Sequence, residues 1–411
     1  MWVSMSLVGL MVSASWADDL RRTPIVEAVE KATPSVVTIG VEVASQNPFM
    51  FRRATTASEG SGVILNPDGV VLTNAHVVDG AVRVTVHLQD ERALDARVVA
   101  LDNDLDLAVL KVDSGVPLPS IEVGDSRALY LGEPAIAIGN PFGLGLTVST
   151  GVVASVARDV NVGSGPVQTY IQTDAAINPG NSGGALVDVH GRLIGINTFI
   201  HSAAEGIGFA IPVHRALKIA DDLLAYGRVQ VPWLGVALEE RWVGRQPRLV
   251  VTEVLRDGPA ARAGVRAGDV IREVAGHRVQ SRADVNARLA ELRVGSAVRM
   301  TTVRDGEDRA ATLTTSAVPD GLGTTWRKAY LGLRLETGRG GLTVVGGERG
   351  RGWFGRPLEA GDVIVAVDGE RILRVSDLDD ALTAALGRHR ATVYLMVQRG
   401  PYRGTVELDL R

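Results

Sequence analysis

The sequence predicts a mainly β fold, with one large domain of short strands followed by two copies of a small α/β domain. Short β-branched runs recur at even spacing between Gly and Asn/Asp turns up to about residue 212, a texture typical of barrels and sandwiches. The chain then repeats itself. WLGV at 233–236 returns as YLGL at 330–333, and AGDVI at 267–271 returns at 360–364. A repeat about 95 residues apart predicts two copies of one domain.

The first domain is predicted over 25–226, and its strands are recognised by alternating, β-branched runs. The turn NPDG at 66–69 predicts a hairpin. A helix is expected over 213–226, and Gly227 is a natural stop for it because glycine readily adopts the left-handed conformation at helix ends. The runs predicted as strands include 36–39, 62–65, 82–86, 135–138 and 193–197.

Composition excludes several classes of function. The length of 411 residues fits roughly two to four domains, and 45% hydrophobic residues are enough for several cores. The net charge is -4 and the basic residues are scattered, so no nucleic-acid partner is predicted. The absence of cysteine removes disulfide frameworks, Cys-based zinc sites and cysteine nucleophiles. No metal and no organic cofactor is expected.

The N-terminus predicts export. Residues 2–12 are mostly apolar, and small side chains at Ser15 and Ala17 favour cleavage before Asp18, so 1–17 is interpreted as a signal peptide. The usual positive charge before the apolar run is missing. A buried N-terminal strand and a truncated membrane anchor are therefore kept as alternatives. The expected location is the periplasm, with loose membrane association left open.

Three motifs in the first domain carry chemistry: TNAHVV at 73–78, DLDLAVL at 104–110 and NPGNSGG at 178–184. They place His76 after an apolar strand, Asp106 before another, and Ser182 in a glycine-rich turn. A serine hydroxyl needs a base, histidine is suited to that task near neutral pH, and a buried aspartate orients the imidazole. The glycines let the turn direct the N–H groups of Gly180 and Ser182 at one point, as in an oxyanion hole.

The serine turn also fits the nucleophile elbow of α/β-hydrolases. That alternative predicts a helix after the serine and the chain order Ser, Asp, His. Here the order is His, Asp, Ser, and residues 185–189 and 193–196 read as a β-hairpin. The α/β-hydrolase alternative is therefore disfavoured.

These motifs resemble those of the HtrA (DegP/DegQ-like) serine proteases, from about residue 25 to the C-terminus. The resemblance implies a trypsin-like pair of six-stranded β-barrels with the triad in the cleft between them. His76 would be the general base, Asp106 the orienting group and Ser182 the nucleophile. Oxyanion donors are implied at Gly180, Asn181 and Ser182. The resemblance also implies a homotrimer, or multiples of it.

The same resemblance implies an aliphatic specificity pocket and cleavage after small aliphatic residues such as Val, Ala or Ile. Plain barrel core is the alternative for these positions. Arg158 lies where the family has a loop that senses a bound peptide, although an isolated arginine is more often solvated surface. The implied pocket residues are Ile177, Ile200, Ile207, Gly208 and Phe209.

The two repeats resemble PDZ domains, expected over 230–316 and 326–411 with a linker at 316–325. PDZ domains bind hydrophobic C-terminal peptides by adding a strand to a sheet edge, with a glycine loop receiving the carboxylate. Two small α/β domains used only for assembly are the alternative. The two predicted carboxylate loops consist of Leu234, Gly235 and Val236, and of Leu331, Gly332 and Leu333.

Two hypotheses of function follow. The first is an ATP-independent serine endopeptidase that degrades unfolded polypeptides outside the cytoplasm, since the sequence has no Gly-x-x-x-x-Gly-Lys-[Ser/Thr] phosphate loop. The second is a binding protein without catalysis, either a holdase-type chaperone or a peptide sensor built from PDZ domains. The intact His, Asp and Ser motifs favour the peptidase.

Overall fold

The computed structural model describes residues 21–45, 54–140, 145–160, 168–178, 180–200, 206–243, 246–338, 340–346 and 358–410. The predicted signal peptide lies outside these residues. The chain divides into two compact units that meet between Val229 and Gln230. No helix in the described ranges is both long enough and apolar enough to span a membrane.

The described residues of the first unit form twelve strands and three helices. A 3₁₀ turn at Thr33–Ser35 follows the first helix. The helices are α1 (Pro24–Ala32), α2 (Ala75–Val78) and α3 (Val213–Tyr226). The strands are β1 (Val36–Ser45), β2 (Ala54–Ile64), β3 (Val70–Thr73), β4 (Ala81–His87), β5 (Ala93–Asp102), β6 (Leu107–Val112), β7 (Pro134–Gly139), β8 (Thr147–Val160), β9 (Gln168–Thr173), β10 (Ala185–Val187), β11 (Leu193–Ile200) and β12 (Gly208–Pro212).

These strands close into two six-stranded barrels, in the orders β1-β2-β3-β6-β5-β4 and β10-β11-β12-β9-β8-β7. The predicted double barrel is thereby confirmed. The hairpin at 66–69 forms as expected, since Gly69 has a φ of 89° and donates its N–H to the Asn66 carbonyl at 3.1 Å. After the serine turn, β10 pairs antiparallel with β11. This hairpin excludes the α/β-hydrolase alternative, which needs a helix at that place.

Helix α3 forms over the predicted residues and ends at Gly227, whose φ of 68° is left-handed. Its apolar face packs against β5, β6 and β11, so it touches strands of both barrels. Side chains on that face, including Ala216, Ile219 and Leu223, join a core cluster shared by the two barrels. The barrels are thus held together by a common apolar core beside the cleft.

The second unit contains two sheets with the same strand order. The first is β13-β14-β15-β17-β18 and the second is β19-β20-β21-β23-β24, with β16 and β22 attached to β15 and β21. Their strands are β13 (Val236–Val243), β14 (Gln246–Val254), β15 (Val270–Val274), β16 (His277–Arg278), β17 (Ala297–Arg304), β18 (Glu307–Thr314), β19 (Arg334–Thr337), β20 (Leu342–Gly346), β21 (Val363–Val367), β22 (Glu370–Arg371), β23 (Thr392–Arg399) and β24 (Tyr402–Asp409).

The helices of this unit are α4 (Pro259–Arg262), α5 (Arg282–Ala290), α6 (Leu322–Trp326) and α7 (Val375–Gly387), with a π-helical turn at Arg327–Leu331 directly after α6. Helices α5 and α7 occupy equivalent places, as the internal repeat predicts. The expected linker at 316–325 is only partly a linker, because α6 begins at Leu322 and packs on α7. The Gly323 backbone approaches the Asp379 carbonyl so closely that a Cβ would lie 2.1 Å from its oxygen.

Each repeat is fixed by one buried aspartate from its AGD motif. Asp269 accepts from the Arg304 Nε at 2.6 Å, and Asp362 accepts from the Arg399 Nε at the same distance. The Asp362 side chain also accepts the Glu359 N–H. The carboxylate of Asp362 is stabilised as an anion chiefly by Arg399, which holds its pKa below the usual range. The repeated motif is therefore a structural clamp between the loop before β15 or β21 and the sheet.

Candidate active site

Two of the three predicted catalytic residues meet directly. His76 lies in α2, immediately after the buried strand β3, and Asp106 lies immediately before β6. The His76 Nδ1 is 2.8 Å from the Asp106 Oδ1, and the His76 backbone N–H also donates to that oxygen at 3.1 Å. Asp106 has a φ of 52°, an uncommon conformation for a residue with a Cβ. Asn74 supports it by donating to the Asp106 carbonyl at 2.9 Å.

A threonine that sequence reasoning missed completes the environment of this aspartate. Thr198, on β11, donates its hydroxyl to the Asp106 Oδ2 at 2.7 Å. Its backbone carbonyl accepts a hydrogen bond from the Ser182 Oγ at 2.9 Å. One residue of the second barrel therefore contacts both the aspartate and the serine. In the sequence it resembles any β-branched residue of a buried strand, so no local signal distinguishes it.

Ser182 lies beside the dyad but is not hydrogen-bonded to it. Its hydroxyl points to the Thr198 carbonyl, while the His76 side chain is 52% exposed. The structure therefore brings His76 and Asp106 together and leaves Ser182 in a resting orientation. Catalytic hydrogen bonds are often formed only with substrate in place, so this orientation does not disqualify the serine.

The turn that carries Ser182 is built by close backbone contact. A Cβ at Gly183 would lie 2.2 Å from the Ser61 carbonyl oxygen, and one at Gly184 would lie 2.3 Å from the Ile138 carbonyl oxygen. Ser61, on β2, also donates its hydroxyl to the Gly180 carbonyl at 2.6 Å and its N–H to the Ser182 carbonyl at 3.0 Å. The first barrel thus holds the serine turn of the second.

Backbone N–H groups in this turn divide into two kinds. Those of Asn178, Asn181, Gly183 and Gly184 all donate to acceptors within the chain. Across the described residues, the N–H groups of Gly180 and Ser182 have no such acceptor. Unpaired N–H groups are rare, and two in one turn beside a serine fit the developing oxyanion of an acyl transfer.

Asn181 was predicted as a third oxyanion donor, but its N–H donates to the Asn178 carbonyl at 3.1 Å. Its side-chain oxygen accepts the Asn178 N–H, and its amide donates to the Ala176 carbonyl. Asn181 therefore shapes the turn, and its N–H does not face an open site.

Comparison with known proteins agrees with this geometry. The chain matches the family model of a trypsin-like peptidase domain over residues 60–196 and that of a PDZ domain over residues 232–315. It is 33% identical to the Periplasmic pH-dependent serine endoprotease DegQ of Escherichia coli (strain K12), over 96% of this chain and 95% of that one. It is 35% identical to a Probable periplasmic serine endoprotease DegP-like of Brucella suis, over 86% of this chain and 74% of that one.

A solved structure described as the HtrA-type protease AlgW with decapeptide has a TM-score of 0.56 and 37% identity, over 71% of this chain and 98% of that one. The chain belongs to the HtrA family. It is a serine endopeptidase with a trypsin-like domain and PDZ repeats.

The predicted specificity pocket of this HtrA protease is only partly assembled from the predicted side chains. Ile177 is buried and faces Gly208, where a Cβ would lie 2.6 Å from the Ile177 Cγ1. Ile207 is half-buried against the shared core. Phe209 does not line a pocket with Gly208, because successive strand residues face opposite sides and its ring packs edge-on against Tyr170, 6.0 Å between centroids. The side chain of Ile200 lies outside the described structure.

Arg158 was predicted in a regulatory loop, but it lies within strand β8. Its Nε donates to the Gln172 Oε1 on β9 at 3.1 Å, and the side chain is otherwise exposed. The residues that follow β8, 161–167, lie outside the described structure. Arg158 therefore stands at the base of that segment and is not part of a loop.

The two predicted carboxylate loops differ. In the first repeat, Leu234 is buried and its carbonyl accepts the Ala260 N–H at 2.9 Å, while Gly235 has a φ of 79° and packs on Pro259. Val236 then starts the edge strand β13. A glycine with a left-handed backbone directly before an edge strand fits the predicted carboxylate loop.

In the second repeat, Leu331 is the last residue of the π-helical turn. Gly332 donates its N–H to the Arg327 carbonyl at 3.1 Å, so that donor is not directed at a ligand. Leu331 and Leu333 are buried in the core of the repeat. Leu331, Gly332 and Leu333 therefore form a helix end, and the predicted second carboxylate loop is not built.

Proposed function

We propose that this HtrA protease is an ATP-independent endopeptidase that degrades unfolded or misfolded proteins outside the cytoplasm, with Ser182 as the nucleophile. The observation that carries the proposal is the pair of unpaired N–H groups at Gly180 and Ser182, placed beside a serine and a His76–Asp106 dyad. Loss of one such donor typically lowers turnover by about 10²–10³.

The reaction requires a small rearrangement at the serine. The Ser182 hydroxyl leaves the Thr198 carbonyl and donates to the free nitrogen of His76. His76 takes the proton as the Ser182 Oγ attacks the scissile carbonyl, and the resulting oxyanion is bound by the N–H groups of Gly180 and Ser182. His76 then protonates the leaving amine, which departs and leaves an acyl-enzyme. Water, deprotonated by the same histidine, releases the acid product and regenerates the serine.

Asp106 orients the base throughout this cycle. Its carboxylate fixes the His76 Nδ1–H and so leaves the other ring nitrogen as the proton acceptor. Thr198 holds the second carboxylate oxygen, which keeps the aspartate in one orientation. Thr198 is thus a positioning residue for the base.

Substrates are proposed to be extended chains with small aliphatic residues before the cleaved bond. Ile177 and Gly208 offer an uncharged wall with no partner for a basic side chain. Since the sequence has no phosphate loop for ATP, unfolding must come before cleavage. The relatives named periplasmic support a location outside the cytoplasm. Assembly as a homotrimer, which the family resemblance implied, is part of the proposal. The first PDZ repeat is proposed to bind hydrophobic C-terminal peptides.

Cleavage of unfolded casein tests this proposal, with the wild type compared to Ser182→Ala and the cleavage sites mapped by mass spectrometry. We expect the wild type to cut after Val, Ala or Ile and the variant to lose at least about 10³-fold in rate, because the nucleophile is gone. Ser120→Ala, which removes an exposed serine hydroxyl from the segment that follows the first barrel, is the matched control and should stay active.

Two other outcomes of the casein experiment would contradict the proposal. Equal activity of wild type and Ser182→Ala would mean that another residue is the nucleophile. Inactivity of both, even with hydrophobic C-terminal peptides added, would favour the alternative of a holdase chaperone or peptide sensor.

A further inference from the structure

The first PDZ repeat has an unpaired sheet edge. Among the residues that the structure describes, strand β13 is the outermost strand of its sheet and pairs with β14 alone. The space between this edge and helix α5 is here called the first groove. An extended peptide that binds by strand addition needs the free backbone groups of such an edge.

In this structure, side chains of the chain itself use those backbone groups. The buried His389 ring lies beside the backbone of Val236, at the start of β13, and both residues line one cavity. Further along, the Arg282 guanidinium donates to the Leu238 carbonyl at 3.2 Å. A peptide strand that entered the first groove would have to displace both contacts.

His389 belongs to a turn of the second repeat, residues 388–390, here called the docked turn. The other wall of the first groove also holds it, because Asn286 on α5 donates its side-chain amide to the Arg388 carbonyl. The docked turn is therefore bound by the strand on one side and the helix on the other. That is the position an extended ligand takes in this fold.

His389 itself is unusual. Its side chain is buried, its φ is 48°, and its Nε2 is buried without a hydrogen-bond partner in the described structure. Glycine is the usual residue at this place, directly after a helix C-cap. A residue that combines a left-handed backbone, burial and an unpaired nitrogen is destabilising, and such features persist where function requires them.

A cavity of about 420 Å³ remains at the inner end of the first groove. Gly235 and Val236 line one side, and Trp326, Tyr330 and His389 line the other. The Trp326 and Tyr330 rings are stacked, with centroids 5.4 Å apart. The space at the carboxylate loop is therefore preserved but covered by the second repeat.

We propose that the second PDZ repeat closes the first groove, and that a hydrophobic C-terminal peptide binds there only when the docked turn leaves. This inference rests on the proposed peptide binding by the first repeat. The docked turn is then an intramolecular competitor. The apparent affinity for peptide is lowered by the fraction of molecules in which the first groove is open, and peptide in turn shifts the chain toward that open state.

The test uses the full chain and a fluorescein-labelled decapeptide that ends in Val-Leu-Val, with its C-terminal amide as the comparison. His389→Gly removes the inserted ring while providing the residue that helix ends prefer, so the second repeat should stay folded. We expect its Kd for the free-acid peptide, by fluorescence anisotropy, to be at least tenfold lower than that of the wild type. The matched control is Asp305→Gly, at another left-handed position (φ 55°) in an exposed turn, and it should bind as the wild type does.

A second measurement locks the docked turn in place. The chain has no cysteine, so Asn286→Cys with Arg388→Cys can be joined by a short bismaleimide linker. We expect the joined protein to lose peptide binding and the unjoined double variant to keep it. Equal Kd values for wild type and His389→Gly, or undiminished binding by the joined protein, would overturn the closure while leaving peptide binding intact. Absence of carboxylate-dependent binding in every variant would instead overturn the proposed peptide function and the closure with it.

Discussion

The two PDZ repeats build the same sheet but begin differently. The difference distinguishes the first repeat, the proposed peptide receptor, from the second repeat, which covers the first groove. The first repeat enters its edge strand through a glycine loop that rests on α4, with the Leu234 carbonyl held by the Ala260 N–H. The second enters through a helix and a π-helical turn that ends at Leu331. Identical topology thus supports two roles, because the residues before the first strand decide whether N–H groups are free for a ligand.

The shared part of the repeats is the aspartate clamp, and removing it should give the largest effect. Asp269→Asn and Asp362→Asn each remove the buried carboxylate from an arginine, which we expect to destabilise the affected repeat by about 3 kcal/mol. Arg399 keeps a longer ion pair with Glu359, at 3.6 Å. The free energy of unfolding should fall more for Asp269→Asn, because the arginine left behind is less exposed. The Arg304 side chain is 18% exposed and the Arg399 side chain is 30% exposed. Hydrogen exchange of the full chain in urea, followed separately for the amides of each sheet, measures the stability of both repeats.

Asp305→Asn, in an exposed turn, is the control for this experiment and should leave exchange unchanged. A loss of protection spread equally over both sheets after either substitution would contradict the idea that the repeats are clamped independently.

The next largest effect is expected from pH, because acid should weaken the docking of the second repeat on the first groove. Burial, with a smaller effect of Arg282, lowers the pKa of His389 from 6.5 to about 4. The docked ring therefore binds fewer protons than a released one, and docking weakens as the pH falls from about 6.5 toward 4. Between pH 7 and pH 5 the docking equilibrium should shift by roughly 20-fold, so the wild-type Kd for the decapeptide should fall over that range.

Most of the charges around the docked turn have partners of their own. Glu240 is paired with Arg282, and Arg390 is paired with Asp368 at 2.7 Å. Glu253, which also lines the cavity, is the carboxylate without an ion pair among the described residues. His389→Gly should remove most of the pH dependence, whereas His277→Gln, at an exposed histidine of the first repeat, should retain it. A pH response that survives His389→Gly would assign the titration to another group.

The smallest effect is expected from substituting the equivalent glycines that precede the first strand of each repeat. Gly235→Ala places a Cβ 3.2 Å from the Pro259 Cδ at a φ of 79°, and it should weaken decapeptide binding about tenfold, equivalent to about 1.4 kcal/mol. Gly332→Ala, at a φ of 59°, strains the backbone similarly but touches no proposed ligand site. Measured in the His389→Gly background, its Kd should be unchanged. If the two substitutions weakened decapeptide binding equally, the proposal that only the first repeat binds the peptide would be wrong.

Much of this molecule follows from local sequence. The strands of the first domain, the hairpin at 66–69 and helix α3 follow from residue pattern, since alternation, turn residues and helix stops act over a few neighbours. The closure of those strands into two barrels was implied by the family resemblance. The motifs around His76, Asp106 and Ser182 are similarly local. The repeat at 233–236 and 330–333 correctly predicted two equivalent sheets, but it also suggested two equivalent loops. The second was wrong because the helix before Gly332 engages its N–H.

What the sequence by itself determined is the set of chemical groups and the sheets that carry them. Only the tertiary structure decided which distant groups meet: Thr198 with Asp106, Ser61 with the serine turn, and Asn286 with the docked turn. These pairs are separated by 92, 119 and 102 residues along the chain. The physical reason is that a hydrogen bond between remote residues depends on how whole elements pack, and a single threonine, serine or asparagine leaves no periodic pattern from which that packing can be inferred.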